Sequence, residues 1–397
     1  MFIHNKKKKF ALFIVNIIVE LICLPWKIFN KRNKLQNLDP QKILLVRLDH
    51  IGDVVMTTPS FTLIRGRFPK AKILLLTNGA GKSLLKDDPR IDEILVFNWP
   101  WSQPKVKERF SWSKMKELFK IIQKLRKENI HIFVDFRGDL RFVFLFGVLT
   151  GARFRVSSSR SGKSSLLHHV SDYDISKHEV ERSTDVVKCF VSNDTPLRPS
   201  IYLSEEEIRE IRQLLEREIK RPLPDKIAVI APYSSRDVKS WPVAYFRKVI
   251  SHLKAEGFII LIVGTRDDKS NADEMLSDFQ EDVFSLAGKT SIRELAALVS
   301  ISSIVVGVDT GVLHLASCFD VPIIAIFGST RSIEFRPYSP FVSVVDSNTC
   351  TCNQFLHLKC DHAVDGYAKC LSQLAPARII EAIEISLKIT PAKVSLS

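Results

Sequence analysis

Short runs of apolar residues alternate with amphipathic stretches along most of this chain, and this alternation constrains the fold more than any other feature. The apolar runs are almost uninterrupted, which is typical of strands buried on both faces. Between them lie amphipathic helical patterns such as residues 53–68 and 113–128. In the first half of the chain these runs are residues 42–48, 71–77, 92–97 and 131–136. Near-continuous apolar strands separated by helices predict βαβ units around a parallel sheet.

A second series of the same kind follows a break in the pattern. Residues 192–225 hold four prolines and one long polar helix that begins with the capping box Ser204-x-x-Glu207. The helix that precedes the third apolar run of this series begins with another capping box, Ser291-x-x-Glu294. The apolar runs are residues 226–233, 258–264, 303–309 and 322–328.

The sequence therefore predicts an α/β protein with two doubly wound, Rossmann-like domains that face each other across a cleft, and its 397 residues suit two domains. The active site is expected in that cleft, at the carboxyl ends of the strands. The predicted segments are an N-terminal helix and linker (1–41), a first domain (42–195), a linker with one helix (196–225), a second domain (226–375) and a C-terminal helix and tail (376–397).

The formal net charge of +14 is concentrated in two places. Residues 1–42 and residues 105–127 each contain nine lysines and arginines against two acidic residues, so each carries +7 and the rest of the chain sums to zero. A nucleic-acid-binding protein more often spreads its basic residues along a whole face. Two local patches favour an anionic surface or a phosphorylated substrate as the binding partner, and we predict no nucleic-acid partner. For residues 105–127 the alternative is a solvated helix face without a partner.

Residues 10–26 form an apolar stretch that is preceded by four lysines. On a helix, Asn16 and Glu20 line up with Lys9 and Lys27 in one narrow polar stripe. This pattern predicts a helix that lies in the cytoplasmic leaflet of a membrane, with its lysines on anionic lipid. The alternatives are a helix docked on the protein's own core and a helix that spans the membrane.

Seven cysteines are too few for a disulfide scaffold, but four of them are close together in the sequence. The cluster consists of Cys350, Cys352, Cys360 and Cys370, with His357 and His362 nearby. Its spacing is not that of a regular zinc ribbon. Reduced thiols, a structural metal site and disulfides all remain open for it.

Small and polar residues mark three junctions between a strand and the following helix, although the chain lacks a dinucleotide fingerprint and a P-loop. The first junction, residues 47–55, contains Gly52, which permits a tight turn, and Asp53 at the start of a helix. A carboxylate at this position either caps the helix or takes a proton from a hydroxyl in the cleft.

The second junction spans residues 231–242, where Pro242 opens a helix. Its hydroxyls and one ammonium group make it either an anion site or a solvated turn. The residues concerned are Ser234, Ser235 and Lys239.

In the third junction, residues 307–317, a strand ends at Asp309 and leads straight into a helix through Thr310 and Gly311. Gly311 lets the backbone approach a ligand closely, and a helix N-terminus favours negative charge. His314 is expected to face the same end of the helix. The alternative is a capped helix with a core histidine.

Together the three junctions resemble glycosyltransferase family 9, the heptosyltransferases that build the inner core of bacterial lipopolysaccharide. The resemblance covers about residues 42–385 and implies the two-domain GT-B fold, in which the first domain binds the acceptor and the second binds the donor nucleotide. The matching residues are Arg47, Gly52, Asp53 and Pro59, the run from Ser234 to Pro242, and the run 307–317 followed by residues 327–330.

The resemblance implies an inverting glycosyltransferase that moves a heptose from ADP-heptose to a lipid A–Kdo acceptor, with Asp53 as the general base. Lys239 would be the second catalytic residue, because it neutralises the leaving diphosphate. No metal or other cofactor is implied, since a lysine and a helix N-terminus would supply the positive charge. The implied donor-binding residues are Ser234, Ser235, Lys239, Asp309, Thr310, Gly311 and His314, and the acceptor-binding residues would be Lys114, Lys116 and Arg137.

The partners expected from this reading are a nucleotide sugar, a phosphorylated lipid A–core acceptor and the anionic surface of the inner membrane. The enzyme would be cytoplasmic, at the cytoplasmic face of that membrane. Two alternatives stay open. One is a GT-B enzyme that uses another nucleotide sugar for a different surface polysaccharide, and the other is an inactive membrane-bound scaffold.

Overall fold

The computed structural model describes residues 39–99, 111–162, 164–191, 197–279, 281–347, 360 and 362–389. The helix predicted at residues 10–26, the first part of the basic segment (105–110) and three members of the cysteine–histidine cluster (Cys350, Cys352 and His357) lie outside the described residues. Within the ranges that are described, no helix is both long enough and apolar enough to cross a bilayer.

The chain divides into two compact units, of which the first ends at Leu197 and the second begins at Arg198. The first unit holds a six-stranded sheet with the order β3-β2-β1-β4-β5-β6, and every neighbouring pair is parallel. Its strands and longer helices are β1 (Lys42–Arg47), α1 (Ile51–Arg67), β2 (Lys72–Thr77), α2 (Gly79–Leu84), β3 (Glu93–Val96), α3 (Trp112–Glu128), β4 (Ile132–Asp135), α4 (Leu140–Phe142, continued by a π-helix over Val143–Val148), β5 (Phe154–Ser158), β6 (His169–Ser171) and α5 (Glu179–Val187).

Alternate residues of β1 enter two different cores, one on each face of this sheet. Leu44 and Val46 pack with α3 and with the helical residues 140–148. Ile43 and Leu45 pack with α1 and α5 on the other face. Helices on both faces of a parallel sheet make the first unit doubly wound, and they explain why its strands are apolar at almost every position.

The second unit holds another six-stranded parallel sheet, with the order β12-β11-β10-β7-β8-β9. Its elements are α6 (Glu205–Ile219), β7 (Ile227–Ala231), α7 (Val243–Ala255), β8 (Ile259–Ile262), α8 (Lys269–Leu276), β9 (Val283–Ser285), α9 (Ile292–Ile301), β10 (Ile304–Val308), α10 (Gly311–Ala316), β11 (Ile323–Phe327), α11 (Ser332–Phe335), β12 (Val342–Asp346), α12 (Lys369–Ser372) and α13 (Pro376–Ile389). Helices again cover both faces, with α6 and α9 on one core and α7, α8 and α13 on the other.

Helix α6, which the sequence places in the linker, packs within the second unit. Its buried Ile211 and Leu215 belong to the core shared with α9. Arg293 of α9 also donates a 2.6 Å hydrogen bond from Nε to Glu207. Glu207 in turn completes the predicted capping box, because its carboxylate accepts from the backbone N–H of Ser204 at 2.9 Å.

The predicted strands and capping boxes are present, and the structure has four further short strands that the sequence pattern did not predict. Each of the eight apolar runs contains a strand, and the ends of the strand lie within two residues of the ends of the run. The strands β5, β6, β9 and β12 are additional. In β5, Arg155 and Ser157 are buried, and Arg155 donates from Nε to the carbonyl of Leu166 at 2.6 Å. Buried polar residues of this kind hide a strand, because they interrupt its apolar run.

The order of strands reverses once in each sheet, between β1 and β4 in the first and between β7 and β10 in the second. In open α/β sheets, ligands bind at the carboxyl ends of the strands beside such a reversal, because the loops diverge there and leave a crevice. The loops after β1 and β4, and those after β7 and β10, are therefore the candidate sites of the two units.

Candidate functional site

A buried arginine organises the loops at the reversal point of the first sheet. Arg47, the last residue of β1, is 1% exposed and donates at 2.8 Å both to the carbonyl of Phe136 and to the carboxylate of Glu179. Its guanidinium also lies 3.2 Å from the carboxylates of Asp49 and Asp53. Burial alone would lower the pKa of Arg47, but Glu179 and Asp53 raise it above its usual value. The arginine is therefore a permanent cation beside these acids.

The two aspartates that follow β1 differ in accessibility. Asp49 has a side chain that is only 5% exposed, and it forms ion pairs with both Arg47 and Arg137. The Asp53 side chain is 25% exposed and lies in the first turn of α1, where its Oδ2 accepts from the backbone N–H of His50 at 3.2 Å. Asp53 thus caps the helix and still presents a carboxylate to solvent, so of the two aspartates it is the more accessible.

Glycines shape the two loops in different ways. Gly52, expected to permit a turn before the helix, is the buried second residue of α1 and has no positive φ. Gly138 has φ 71°, and a Cβ added there would lie 2.4 Å from Oγ of Ser158. The loop after β4 therefore requires a glycine between Arg137 and Asp139.

Glu179 is a member of this site that the sequence pattern did not predict. It accepts from Arg47 at 2.8 Å and from Arg182 Nε at 3.0 Å. Burial raises the pKa of Glu179, but Arg47, Arg182 and Arg160 outweigh burial and hold it at about 2. Because 132 positions separate Glu179 from Arg47, no local pattern predicts their pairing. The local signal at Glu179 is that of an acidic residue in the first turn of a helix.

We expect Glu179→Gln to lower the free energy of unfolding by about 3–5 kcal/mol at pH 7, because it leaves Arg47 and Arg182 buried without their shared carboxylate. The folded pKa of Glu179 lies below the ordinary 4.5, so its stabilisation is complete above that pH and is lost as the pH falls toward 2. Urea unfolding between pH 2.5 and 7 measures both effects. Asp185→Asn, on the same helix, is the control: Asp185 pairs with Lys177 and Lys188, whose side chains are 42% and 50% exposed, and each pair should be worth less than about 1 kcal/mol. Equal losses in the two variants would contradict the assignment.

Of the three predicted acceptor-binding cations, Arg137 joins the network around Arg47. It lies in the loop after β4 and pairs with Asp49, and burial together with neighbouring arginines lowers its pKa to about 10. Lys114 and Lys116 lie on α3, where Lys114 pairs with Glu117 at 3.0 Å and Lys116 is exposed. Within the described part of the chain, neither lysine forms an ion pair with Asp49, Asp53 or Glu179, the acids around Arg47.

Asp309 is the centre of the candidate site in the second unit. It follows β10 and is buried, and its Oδ2 accepts at 2.6 Å from both Nζ of Lys239 and Oγ1 of Thr330. Nε2 of His314 lies 4.0 Å from its other oxygen. Burial raises the pKa of Asp309, but Lys239 and His314 bring it below its usual value. The ionised carboxylate therefore fixes the ammonium of Lys239 in place.

The segment that carries Lys239 is anchored by a buried tryptophan. Lys239 ends a short 3-10 helix, Asp237–Lys239, that follows β7. Two residues later, Trp241 is buried and donates from Nε1 to the carbonyl of Leu374 at 3.0 Å. Pro242 is the N-cap of α7, as predicted. These contacts hold Lys239 beside the reversal point of the second sheet.

The remaining predicted donor-binding residues lie in the same two loops but do not contact the Lys239–Asp309 pair through any described hydrogen bond. Ser234 is half-buried and accepts from the backbone N–H of Arg236 at 3.4 Å, while Ser235 is exposed. Thr310 is the N-cap of α10, and Gly311 is its first residue; both are half-buried.

Two features bear on metal binding. Of the cysteine cluster, Cys360 and Cys370 are described; both are free thiols, and burial raises the pKa of Cys370. An Asp-x-Asp motif was expected to be missing, but Asp172 and Asp174 have that spacing; Asp174 accepts from both the backbone and the hydroxyl of Ser176, at 2.8 and 2.7 Å. No group of three or more histidine, cysteine or acidic side chains that could hold a metal occurs in the part of the chain that the structure covers.

Known proteins match both the sequence and the fold. The sequence profile of glycosyltransferase family 9 (heptosyltransferase) matches residues 118–364. Lipopolysaccharide heptosyltransferase 3 of Escherichia coli (strain K12) is 26% identical over 297 residues, which are 72% of this chain and 83% of that protein. The name of this relative agrees with the family that the profile identifies.

Two solved structures share the architecture. The structure of E. coli ADP-heptose lps heptosyltransferase II has a TM-score of 0.71 and 19% identity, and the match covers 87% of this chain and 98% of that one. E. coli heptosyltransferase WaaC with ADP has a TM-score of 0.65 and 20% identity, with 87% and 99% covered. Both confirm the expected GT-B fold of two parallel, doubly wound sheets. Because the family profile spans more than half of the chain and the fold agrees with it, this protein belongs to glycosyltransferase family 9 and is a glycosyltransferase.

Proposed function

We propose that this enzyme transfers a heptose from ADP-heptose to a lipid A–Kdo acceptor of the lipopolysaccharide inner core, by an inverting displacement with Asp53 as the general base. The observation that carries the proposal is the position of Asp53, an accessible carboxylate held by the buried Arg47 at the reversal point of the first sheet. The names of the relatives support heptose as the transferred sugar and lipopolysaccharide as the acceptor. The structure of WaaC with ADP supports an adenine nucleotide.

The first unit would perform the proton transfer. As the acceptor hydroxyl oxygen attacks the anomeric carbon from the side opposite the nucleotide, its proton passes to the Asp53 carboxylate, and the bond between the anomeric carbon and the diphosphate breaks. A single displacement of this kind inverts the anomeric centre. Arg47 keeps the carboxylate oriented, because it is itself fixed by Phe136 and Glu179.

The second unit would stabilise the leaving group. The diphosphate departs with the bonding electrons, and the ammonium of Lys239 is placed to neutralise the charge that develops. Its hydrogen bond to Asp309 fixes it before substrate arrives, so little reorganisation is needed during the reaction. The hydroxyls of Ser234 and Ser235 and the residues Thr310 and Gly311 would bind the phosphates and the nucleotide beside it. With a lysine in this role, the proposed mechanism uses no metal.

The acceptor would be bound through its anionic groups. Arg137 has a side chain that is 28% exposed and lies next to the loop of Asp53, so it is the best placed of the predicted cations to contact a phosphate or carboxylate of the acceptor. Lys114 and Lys116 stay proposals for the same role. We also propose that the enzyme works at the cytoplasmic face of the inner membrane, where such a lipid-linked acceptor is held.

A panel of nucleotide sugars tests the donor. We expect ADP-heptose to raise the melting temperature in a saturable way, since a ligand at 100 times its Kd stabilises the folded state by about 2.7 kcal/mol. UDP- and GDP-sugars should give no saturable shift. Transfer to purified lipid A–Kdo acceptor should then occur and should persist in EDTA.

The other outcomes of the panel separate the alternatives. A saturable shift with a different nucleotide sugar, and none with ADP-heptose, would replace the proposed donor. A shift with ADP-heptose but no transfer to any acceptor would favour the inactive scaffold. Loss of transfer in EDTA, restored by a divalent cation, would remove the metal-independent mechanism.

A further inference from the structure

Helix α3 carries an apolar stripe on its solvent side. Trp112, Met115 and Phe119 are 85%, 46% and 60% exposed, although side chains of these types are usually buried. Their spacing of three, four and seven positions places them on one face of the helix. Leu118, Ile122 and Leu125, about 90° further around the helix, anchor α3 in the core of the first unit. The stripe therefore belongs to a packed helix and not to a frayed one.

Basic residues flank the stripe, and the acidic residues of the helix face elsewhere. At about 100° per residue, Glu117 and Glu128 fall on the side of α3 away from the stripe. They are occupied there by ion pairs, Glu117 with Lys114 at 3.0 Å and Glu128 with Lys42 at 2.8 Å. The exposed cations near the stripe are Lys116, Lys120, Arg126 and Lys127. The face of α3 that carries the stripe thus combines aromatic and apolar side chains with flanking positive charges, and the two glutamates of the helix lie outside that face.

We propose that this face of α3 binds the anionic surface of a phospholipid bilayer. Aromatic side chains insert at the level of the headgroups, while lysines and arginines beside them pair with lipid phosphates. The charge selects this occupant: a second copy of the same face would bring four cations against four cations, whereas an anionic bilayer complements them. The inference holds whichever sugar the enzyme transfers, and it adds a membrane contact that is separate from residues 10–26.

Lipid quenching tests whether the stripe enters the bilayer. The full-length enzyme is bound to vesicles of phosphatidylglycerol and phosphatidylcholine that contain no lipopolysaccharide, with brominated acyl chains as quenchers of tryptophan fluorescence. We expect part of the emission to be quenched, and we expect that part to be missing in Trp112→Phe at equal amounts of bound protein. The conservative change keeps the apolar face and removes only the reporter. Equal quenching in the two proteins would overturn the proposal, whatever residues 10–26 do.

A second measurement tests the contribution to binding. The double variant Trp112→Ser, Phe119→Ser should bind the same vesicles at least about tenfold more weakly, because two aromatic side chains no longer leave water. Ile385→Ser is the matched control, since Ile385 is an apolar residue on α13 that is 49% exposed. All variants should melt like the wild type. Unchanged vesicle binding in the double variant, or a lipid-free dimer that the double variant dissociates, would contradict the proposal. Neither result depends on heptose transfer, so a failure of the proposed function would be recognised separately.

Discussion

Asp53→Asn is expected to lower the rate of sugar transfer by about 10²–10⁴, the usual cost of removing a general base. The amide retains an oxygen that can accept from the backbone N–H of His50, so the first turn of α1 keeps its cap. Arg47 keeps its contacts with Glu179 and Asp49. The variant should therefore fold, and it should bind donor normally, because the proposed donor residues lie in the second unit.

Asp49→Asn is the control that makes this experiment decisive. Asp49 lies four residues before Asp53, in the loop that leads into α1, but it is buried between Arg47 and Arg137. We expect its replacement to lower stability more than Asp53→Asn does, and to reduce transfer only through misplacement of the loop. Donor affinity by calorimetry and transfer rate are measured for both variants. If Asp53→Asn transfers within threefold of the wild type while Asp49→Asn is inactive, the base is Asp49 and our assignment is wrong.

Lys239→Ala should lower turnover by tenfold or more, as the loss of an electrostatic contact worth about 1.4 kcal/mol implies. The effect should fall on kcat more than on donor binding, because the charge on the diphosphate grows as the bond breaks. Lys239→Arg should restore activity only in part, since a planar guanidinium does not replace a compact ammonium at a 2.6 Å contact with Asp309.

A structural role of Lys239 has to be separated from this catalytic one. The alanine variant leaves the buried Asp309 without its cation, which by itself destabilises the second unit. The double variant Lys239→Ala, Asp309→Asn removes that unpaired charge and should regain thermal stability. Turnover should stay low in the double variant. Recovery of wild-type turnover together with stability would show that Lys239 only neutralises Asp309.

Much of this architecture was predictable, because it rests on patterns between near neighbours in the sequence. Strands buried on both faces need apolar residues at almost every position, so the runs at 42–48 and 303–309 identified β1 and β10. The capping boxes at Ser204 and Ser291 act over three residues and formed as expected. The family followed from motifs at strand ends for the same reason: each motif is one continuous stretch of the chain.

The candidate sites were predictable in their members but not in their pairing. Lys239 and Asp309 were both named from their own loops, yet 70 positions separate them, and their hydrogen bond arises only because β7 and β10 are neighbours in the sheet. Glu179 could not be found, since it reaches Arg47 from a helix 132 positions away. The short strand β5 was hidden by its buried polar residues Arg155 and Ser157, which bond to Leu166 and Asp135, 11 and 22 positions away.

The sequence by itself determined the α/β class, the two series of strands, the helix starts and the loops that hold the candidate residues, because periodicity and capping depend on a few adjacent positions. Only the tertiary structure decided which of two aspartates in one loop is accessible, which acid holds Arg47, and that α6 packs within the second unit. These properties depend on burial and on charges brought together by strand order, and burial is a property of the folded chain that no local stretch of residues contains.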